Sequence, residues 1–484
     1  MNTNRREFLK GTAWMGAAAF AAGCSATRLG FGEGGTMCGY AAPALKRVRV
    51  GFVGLGHRGP GGVHRVAMIP GAEVAALCDF RPGKIAEQQK WLKDNGKPAA
   101  KEFTSEDCWK RLCAWDGIDV VYVATDWHHH AKVALEAMRN GKHAMVEVPA
   151  AMTVDECWDL VETSEATKCH CMQLENCCYG EEEMLGLNIV RLGLLGEVVH
   201  GEGAYIHDLR KSCYTDEADG GYWKEWRLRW NMEHKGNQYT THGLGPICQY
   251  MDINRGDRFD YLVSLESNQA NFEFWAKRFA PENSWMKNAK VDMGDMNTTL
   301  IKTCLGRSIM LQHDVSSPRP YTRLNLISGT KGMFQGMPWR LYDGGSMMQV
   351  FLDDPTSPNR SHKFMNDADR KAFREKYKHP LWKQIGEIAK KVGGHGGMDF
   401  IMDLRWIYCL QNGLPLDMDV YDLAAWCSIA ELSEKSVRGG SKPQSVPDFT
   451  RGAWRTAKPL GIVDIDLGKM RFDNINKDKS ALNV

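Results

Sequence analysis

Neither sign of charge dominates this sequence. Its 484 residues carry 61 lysines and arginines against 59 aspartates and glutamates, a net charge of +2, which removes the electrostatic case for binding nucleic acid. Long apolar runs are missing too: the mild stretch Gly11–Ala22 is too short to span a bilayer. The 15 cysteines are scattered, with no Cys-x-x-Cys pair at zinc-ribbon spacing, and the adjacent Cys177–Cys178 suits neither a metal nor an easy disulfide. They are expected to be buried free thiols. No internal repeat is present. A hydrophobic content of 43% and a charged content of 25% are ordinary for a folded globular chain, and the length leaves room for two or three domains.

The N-terminus does carry a signal. Asn4-Arg5-Arg6-Glu7-Phe8-Leu9-Lys10 matches the twin-arginine export pattern. Ala21-Ala22-Gly23-Cys24 is similar to a lipoprotein cleavage box, with Ala where Leu is usual. Acylation of Cys24 would anchor the chain at the bacterial envelope; cleavage near Ala26 would leave it free in the periplasm. Twin-arginine export carries folded proteins, which suits one that traps a nucleotide before leaving the cytoplasm. Residues 1–45 are read as signal and linker.

The stretch Val48–Gly59, VRVGFVGLGHRG, organises the rest of the chain. A buried strand runs into a turn with Gly54, Gly56 and Gly59. The first permits the tight turn, the second lets the backbone approach a diphosphate, and the third seats the next helix close to the strand. A second strand ends at Asp79, roughly 20 residues past the motif, where an adenosine ribose needs a carboxylate acceptor. An Asp there favours NAD over NADP. Pro60-Gly61-Gly62 make a poor first helical turn, so the helix is expected to begin late, near Val63.

From Lys46 strands and helices alternate regularly. Gly117–Ala124, GIDVVYVA, is the continuous apolar run of a strand buried on both faces. Helix Ala131–Arg139 stops at Asn140-Gly141, and Thr153-Val154-Asp155-Glu156 is a capping box for a helix to about Thr167. Residues 46–176 therefore read as one doubly wound α/β Rossmann domain that binds NAD. Beyond helix Glu181–Arg191, strand-like segments predominate: Val198–Tyr205, Tyr261–Gln269, Thr298–Cys304, Ser308–Asp314 and Arg323–Ser328. Residues 177–484 read as an α+β domain with a large mixed or antiparallel sheet. Two late helices, Gly397–Gln411 and Val420–Ser436, are expected to pack back on the chain. The tail from Gly439 carries no signal, and the second sheet offers a face for a homodimer.

Ligands of such sheets sit beyond the carboxyl ends of the strands. The residues there are His57-Arg58, Asp79, Thr125-Asp126-Trp127-His128-His129-His130, Glu147-Val148-Pro149 and Glu175-Asn176. Adjacent histidines on one loop rarely converge on one ion, and no carboxylate lies at helical spacing from them, so no metal is expected. The 16 tryptophans and 14 tyrosines fill cores as readily as they line sugar sites.

The glycine motif, the Thr125–His130 loop and the Glu147-x-Pro149 turn resemble the glucose–fructose oxidoreductase, inositol dehydrogenase and rhizopine-catabolism superfamily. In its dehydrogenases the middle of the Glu-x-Pro turn is a catalytic Lys; here it is Val148, which cannot take a hydroxyl proton. Later motifs narrow the likeness. Glu175-Asn176-Cys177-Cys178-Tyr179, Gly203–Arg210, Trp226-Arg227, Tyr239–Pro246, Met251–Gly256, His313–Tyr321 and Gly394–Asp399 resemble glycoside hydrolase family 109, whose members are NAD-dependent α-N-acetylgalactosaminidases. The resemblance runs from about Lys46 to Phe449. It implies NAD contacts at His57, Arg58, Asp79, Trp127, His128, His129, His130, Glu147, Val148 and Asn176. It implies substrate contacts at Tyr205, Arg227, Tyr239, Thr240, Thr241, His242 and Tyr321. Thr240 stands where Pro is common and Ile206 where Gln occurs, and both bear on fine specificity.

Ordinary glycosidases flank the bond with two carboxylates; NAD-dependent families are a recognised exception. The implied route oxidises C3, loses the C2 proton, expels the aglycone from C1, adds water and re-reduces, with retention. Such a site needs a base and an acid. His242, on a glycine-flanked turn, is the leading acid/base candidate, because an imidazole titrates near neutral pH. Tyr205 and Tyr239 are proton carriers or orienters, Glu175 helps the leaving group or holds a hydroxyl, and the Arg227 fork binds a hydroxyl or N-acetyl oxygen. The alternatives are an exported sugar dehydrogenase or aldose–aldose oxidoreductase of the same superfamily, and a non-catalytic sugar-binding lipoprotein.

Overall fold

The computed structural model describes residues 35–337, 349–352, 364–466, 468 and 470. The Arg5-Arg6 signal and Cys24 lie outside the described residues. The first sheet holds β1 (Val48–Val53), β2 (Ala72–Cys78), β3 (Lys101–Phe103), β4 (Val120–Val123), β5 (His143–Val146) and β6 (Cys171–Gln173). Their order is β3-β2-β1-β4-β5-β6 and every pairing is parallel. This is the doubly wound order, with its switch point between β1 and β4. Val120–Val123 is buried at every residue, as a strand covered on both faces must be.

The first crossover helix differs from expectation. It spans Gly59–Met68, with Pro60 in its first turn, where the missing N–H costs nothing. The glycines there serve packing: a Cβ on Gly59 would fall 2.0 Å from the Gly54 carbonyl oxygen. The helix after β4 also starts early, at Trp127, so Trp127–His130 form a helical turn and not a loop. The capping box at Thr153 and Glu156 forms as expected, with both reciprocal hydrogen bonds.

The second sheet contains β7 (Val198–Ile206), β8 (Phe259–Glu266), β9 (Asn297–Thr303), β10 (Ser308–Asp314), β11 (Leu326–Gly329), β12 (Gly332–Gln335), β13 (Gln349–Leu352) and β14 (Gln444–Ser445). Its order is β13-β12-β11-β7-β10-β9-β8-β14. Only β7 and β10 pair parallel, so the sheet is mixed. The tail, which shows no pattern in the sequence, supplies the edge strand β14 against β8 and buries Trp454.

Two late helices tie the layers together. Met398–Asn412 is buried from Met398 through Leu410, the mark of a core helix, and packs on β1 and on the Gly59–Met68 helix. Val420–Arg438 packs on the Val154–Thr167 helix and on β8. One apolar core accordingly joins Val50 and Phe52 of β1 to Ile309 and Leu311 of β10 through Trp406 and Ile407.

Burial also sets the acid response. It lowers His64, His143, His207 and His379 to about 4, and His170 and His313 to about 3. Unfolded histidines take up protons below about 6.5. The native contribution is thus whole above that value and drains as pH falls toward about 4. Burial raises Glu182 and Asp419 to about 7 and Asp403 to about 6; these act oppositely but are outnumbered. The midpoint of thermal unfolding is expected to be several degrees lower at pH 5 than at pH 7. An equal or higher midpoint at pH 5 would contradict this accounting.

Candidate active site

Two cavities open at the carboxyl ends of the first sheet. The smaller, about 290 Å³, is lined by Gly54, Gly56, Asp79, Arg81, His129 and Trp223 among others. The larger, about 790 Å³, brings together Glu147, Val148, Asn176, Tyr205, Arg227, Tyr239, His242 and Tyr321. His57, Arg58, Ala124, Thr125, Tyr222 and Trp226 line both, so the two make one elongated cleft.

The turn at the narrow end is held by backbone geometry. Gly54 has φ +91°, and a Cβ there would lie 2.6 Å from the Ala124 carbonyl oxygen. Asp79, at the end of β2, accepts from the Leu55 N–H at 2.9 Å and from the Arg81 N–H at 2.9 Å. Its carboxylate is therefore fixed under the turn. Arg81 reaches across to Glu217 at 2.7 Å. Spacing does not single out Arg81 or Glu217, because the second lies far along the chain.

At the wide end, His242 stands in the first turn of the Thr241–Tyr250 helix, not on an open turn. The helix backbone lies directly on β7: a Cβ on Gly203 would meet the Gly243 carbonyl oxygen at 2.1 Å. This close approach sets His242 beside Tyr205 and Tyr239, with ring centroids 5.4 and 4.9 Å away. Nδ1 of His242 lies 2.8 Å from Oε1 and 3.0 Å from Oε2 of Glu175. Glu175 is fully buried. Burial pushes its carboxyl up, but His242 and the Cys177 N–H outweigh that and hold it below the ordinary range. It is an anion that orients a ring.

Arg227 is the second unusual group. Burial works against its charge, and the tyrosines around it restore that charge. Its guanidinium carbon lies 4.9 Å from the Trp127 ring and 5.1 Å from the Tyr239 ring. Nη1 donates to the Tyr222 hydroxyl at 3.2 Å, while Nε and Nη2 have no hydrogen-bond partner. Buried donors left unmade are costly, and these two are walled in by the surrounding aromatic rings at the edge of the larger cavity. Tyr205 is hydrogen-bonded to His207 Nδ1 at 3.0 Å. Burial raises the Tyr205 and Tyr239 phenols, which keeps both protonated at neutral pH.

Beneath the cleft lies a buried polar network centred on Asp399. Asp399 accepts from Asn176 Nδ2 and lies 2.9 Å from His395 Nδ1 and 3.3 Å from Arg58 Nη2. Arg58 also reaches Glu147 at 3.2 Å, and Arg65 bridges Asp403 at 2.7 Å and Asp399 at 3.5 Å. Asn176 and Arg58, both implied as cofactor contacts, are thus braced by the start of the Met398–Asn412 helix, and Glu147 is held through Arg58. The Gly394–Asp399 motif is the only sequence signal for this.

Five of the named positions line neither cavity. Glu175 is fully buried behind His242, so it reaches a leaving group or a hydroxyl only through that ring. Gly59 packs inside the helix turn, and exposed His128 lies against Trp230 at 5.1 Å. The Thr240 hydroxyl is taken by the Trp426 carbonyl at 2.6 Å, and Thr241 is buried in the helix start. Direct contact with a ligand is therefore corrected for His128, Thr240 and Thr241. His130 borders the larger cavity, but its nitrogens lie 2.8 Å from the Pro149 and 3.0 Å from the Thr125 carbonyl oxygens, so the ring ties the Glu147-x-Pro149 turn to the helix. Among the described residues, Glu175, Cys177 and His242 form the one grouping of metal-ligand type; burial pushes the Cys177 thiol far up, which keeps it a poor ligand.

Comparison with known proteins agrees with this layout. Residues 48–174 match the family profile described as oxidoreductase family, NAD-binding Rossmann fold. Residues 179–456 match the profile for glycosyl hydrolase 109, C-terminal domain. A glycosyl hydrolase family 109 protein of Shewanella pealeana is 45% identical over 470 residues, covering 96% of this chain and 100% of that protein. A Bacteroides fragilis protein named alpha-N-acetylgalactosaminidase is 46% identical over 417 residues, covering 86% and 95%. Among solved structures, levoglucosan dehydrogenase in complex with NADH and L-sorbose superposes with a TM-score of 0.62 at 19% identity, over 84% of this chain and 100% of that one, which speaks to the fold. By its C-terminal profile and its close relatives, this chain belongs to glycoside hydrolase family 109, built on an NAD-binding oxidoreductase fold.

Proposed function

We propose that this protein hydrolyses terminal α-linked N-acetylgalactosamine with retention, using NAD that stays bound and is restored in every turnover. The observation that carries the reading is one cavity lined by His242, which buried Glu175 orients from behind, and by the Arg227 guanidinium, continuous with the glycine turn. The 46% identical alpha-N-acetylgalactosaminidase supports the choice of substrate.

The residues present fit NAD. Only glycine suits Gly54, whose φ is +91°, and Asp79 is anchored at the cleft wall for ribose hydroxyls. Arg81 is already neutralised by Asp79 and Glu217, which disfavours the extra phosphate of NADP. Gly54, Gly56, His57 and Arg58 would hold the diphosphate, and Glu147, Val148 and Asn176 the nicotinamide end. When bound, NAD supplies reversible oxidation at the sugar C3. The chain does the rest. The Arg227 guanidinium, at the cavity wall, positions an acceptor oxygen of the sugar. A C3 ketone makes the C2 proton acidic, and His242, oriented through Nδ1, moves that proton at Nε2. Tyr205 and Tyr239 donate from protonated phenols to sugar oxygens, and the aromatic walls keep bulk water from the ring. Elimination at C1 and addition of water then replace the aglycone.

Val148 bears on the alternative. It stands at the larger cavity where the superfamily's dehydrogenases keep their lysine, and a valine accepts no proton. The proton released when the C3 hydroxyl is oxidised must go to another group in either reading, His242 Nε2 or the Tyr205 phenol relaying to His207, so it is the 46% identical alpha-N-acetylgalactosaminidase that favours the glycosidase over a sugar dehydrogenase. Export of the folded, cofactor-loaded chain through the Arg5-Arg6 signal belongs to the same reading. The test is release of p-nitrophenol from the α-N-acetylgalactosaminide with no NAD added and no net NADH formed. Steady accumulation of NADH with free sugars would contradict it.

A further inference from the structure

Cys78 is the last residue of β2 and precedes Asp79; Cys108 opens the Cys108–Cys113 helix. Their sulfurs lie 2.9 Å apart, with Cys78 donating to Cys108. Among the described residues no other two thiols are joined this way. Both are shut off from bulk solvent, at 0% and 4% exposure, yet both line the smaller cavity beside Asp79, Phe80 and Trp109. The approach to this pair is therefore through the space assigned above to the adenosine half of NAD.

We propose that Cys78 and Cys108 are a dithiol that small disulfides of the glutathione type oxidise to a disulfide when the smaller cavity is vacant, and that a bound dinucleotide shields. The second clause rests on the cofactor reading; the first does not. A disulfide needs a sulfur separation of about 2.05 Å, so an approach of less than about 1 Å closes the pair. The attacking group is Cys108: the hydrogen bond from Cys78 lowers its thiol, against the opposing effect of burial, and the thiolate is the nucleophile. Cys108 attacks one sulfur of oxidised glutathione and releases one glutathione thiol. Cys78 gives up its proton and attacks the mixed disulfide at Cys108, releasing the second. Two protein thiols are oxidised, one small disulfide is reduced, and the two protein thiol protons end on the two glutathiones. The other buried cysteines, Cys113 and Cys157 among them, line neither cavity and are expected to stay reduced in the folded chain.

The experiment uses the full-length protein, as purified and after removal of bound nucleotide, incubated with oxidised glutathione. The samples are then unfolded in iodoacetamide and read by peptide mass spectrometry. The nucleotide-depleted sample is expected to yield a peptide linked through Cys78 and Cys108. NAD at saturation should slow closure by about tenfold or more, in proportion to the vacant fraction. Cys108→Ser should leave Cys78 alkylated. Alkylation of both thiols in the depleted sample after oxidation would overturn the proposal, and equal closure with and without NAD would overturn the shielding. Released nucleotide is quantified in the same run: its absence would count against the cofactor reading, while the linked peptide is read whether or not NAD was there.

Discussion

His242→Ala is expected to lower kcat for glycoside cleavage by about 10²–10⁴-fold, the usual contribution of a positioned acid/base, with NAD content unchanged. The separation of the two effects follows from position. His242 borders only the larger cavity, and its Nδ1 is engaged by Glu175 at 2.8 Å, leaving Nε2 as the working nitrogen. The glycine turn and Asp79, which would hold the dinucleotide, make no hydrogen bond to it. Its side chain is 11% exposed, at the end of a helix whose hold on β7 comes from the Gly203–Gly243 contact. Truncation keeps that packing, though it strips the buried Glu175 carboxylate of its partner and so lowers stability. A near-normal rate in a folded, NAD-loaded variant would remove His242 from the chemistry.

Glu175→Gln is the second large effect, expected at about 10²-fold or more in kcat, as for other carboxylates that orient a catalytic imidazole. Glutamine keeps the shape but presents no anion to the ring. Stability at neutral pH should fall as well. A carboxyl held below its ordinary value stabilises the native state fully above about 4.3, the unfolded value, and loses that effect only as pH falls through the lower native value. The variant thus differs most from the parent near pH 7 and least in acid. An unchanged rate would show that the 2.8 Å contact is structural only.

The part of this site legible in the sequence is the part written in contiguous residues. The Gly54–Gly59 turn, Asp79, the Glu147-x-Pro149 turn and His242 each sit in a short motif whose neighbours carry the signal. The first sheet is legible for the same reason, since parallel strands buried on both faces leave continuous apolar runs. The features that escape depend on distant partners. Asp399 acquires its role only when the Met398–Asn412 helix meets Arg58, Arg65 and Asn176, and Glu217 only when it meets Arg81. Thr240 resembles a ligand contact by its place in a motif, but its hydroxyl is taken by Trp426, far along the chain. The early helix start at Gly59 escapes because the glycines read as helix breakers, whereas they are required by contact with Gly54 and Tyr122. The weak tail joins the second sheet by backbone pairing, which side-chain pattern does not report.

The central claim is that the glycosidic bond breaks by elimination across C1 and C2 of a transiently oxidised sugar. Hydrolysis in D₂O, with the released N-acetylgalactosamine examined by NMR, tests it most directly. Deuterium at C2, at close to one atom per turnover, is the predicted result. Product formed at full rate with only hydrogen at C2 would contradict the account.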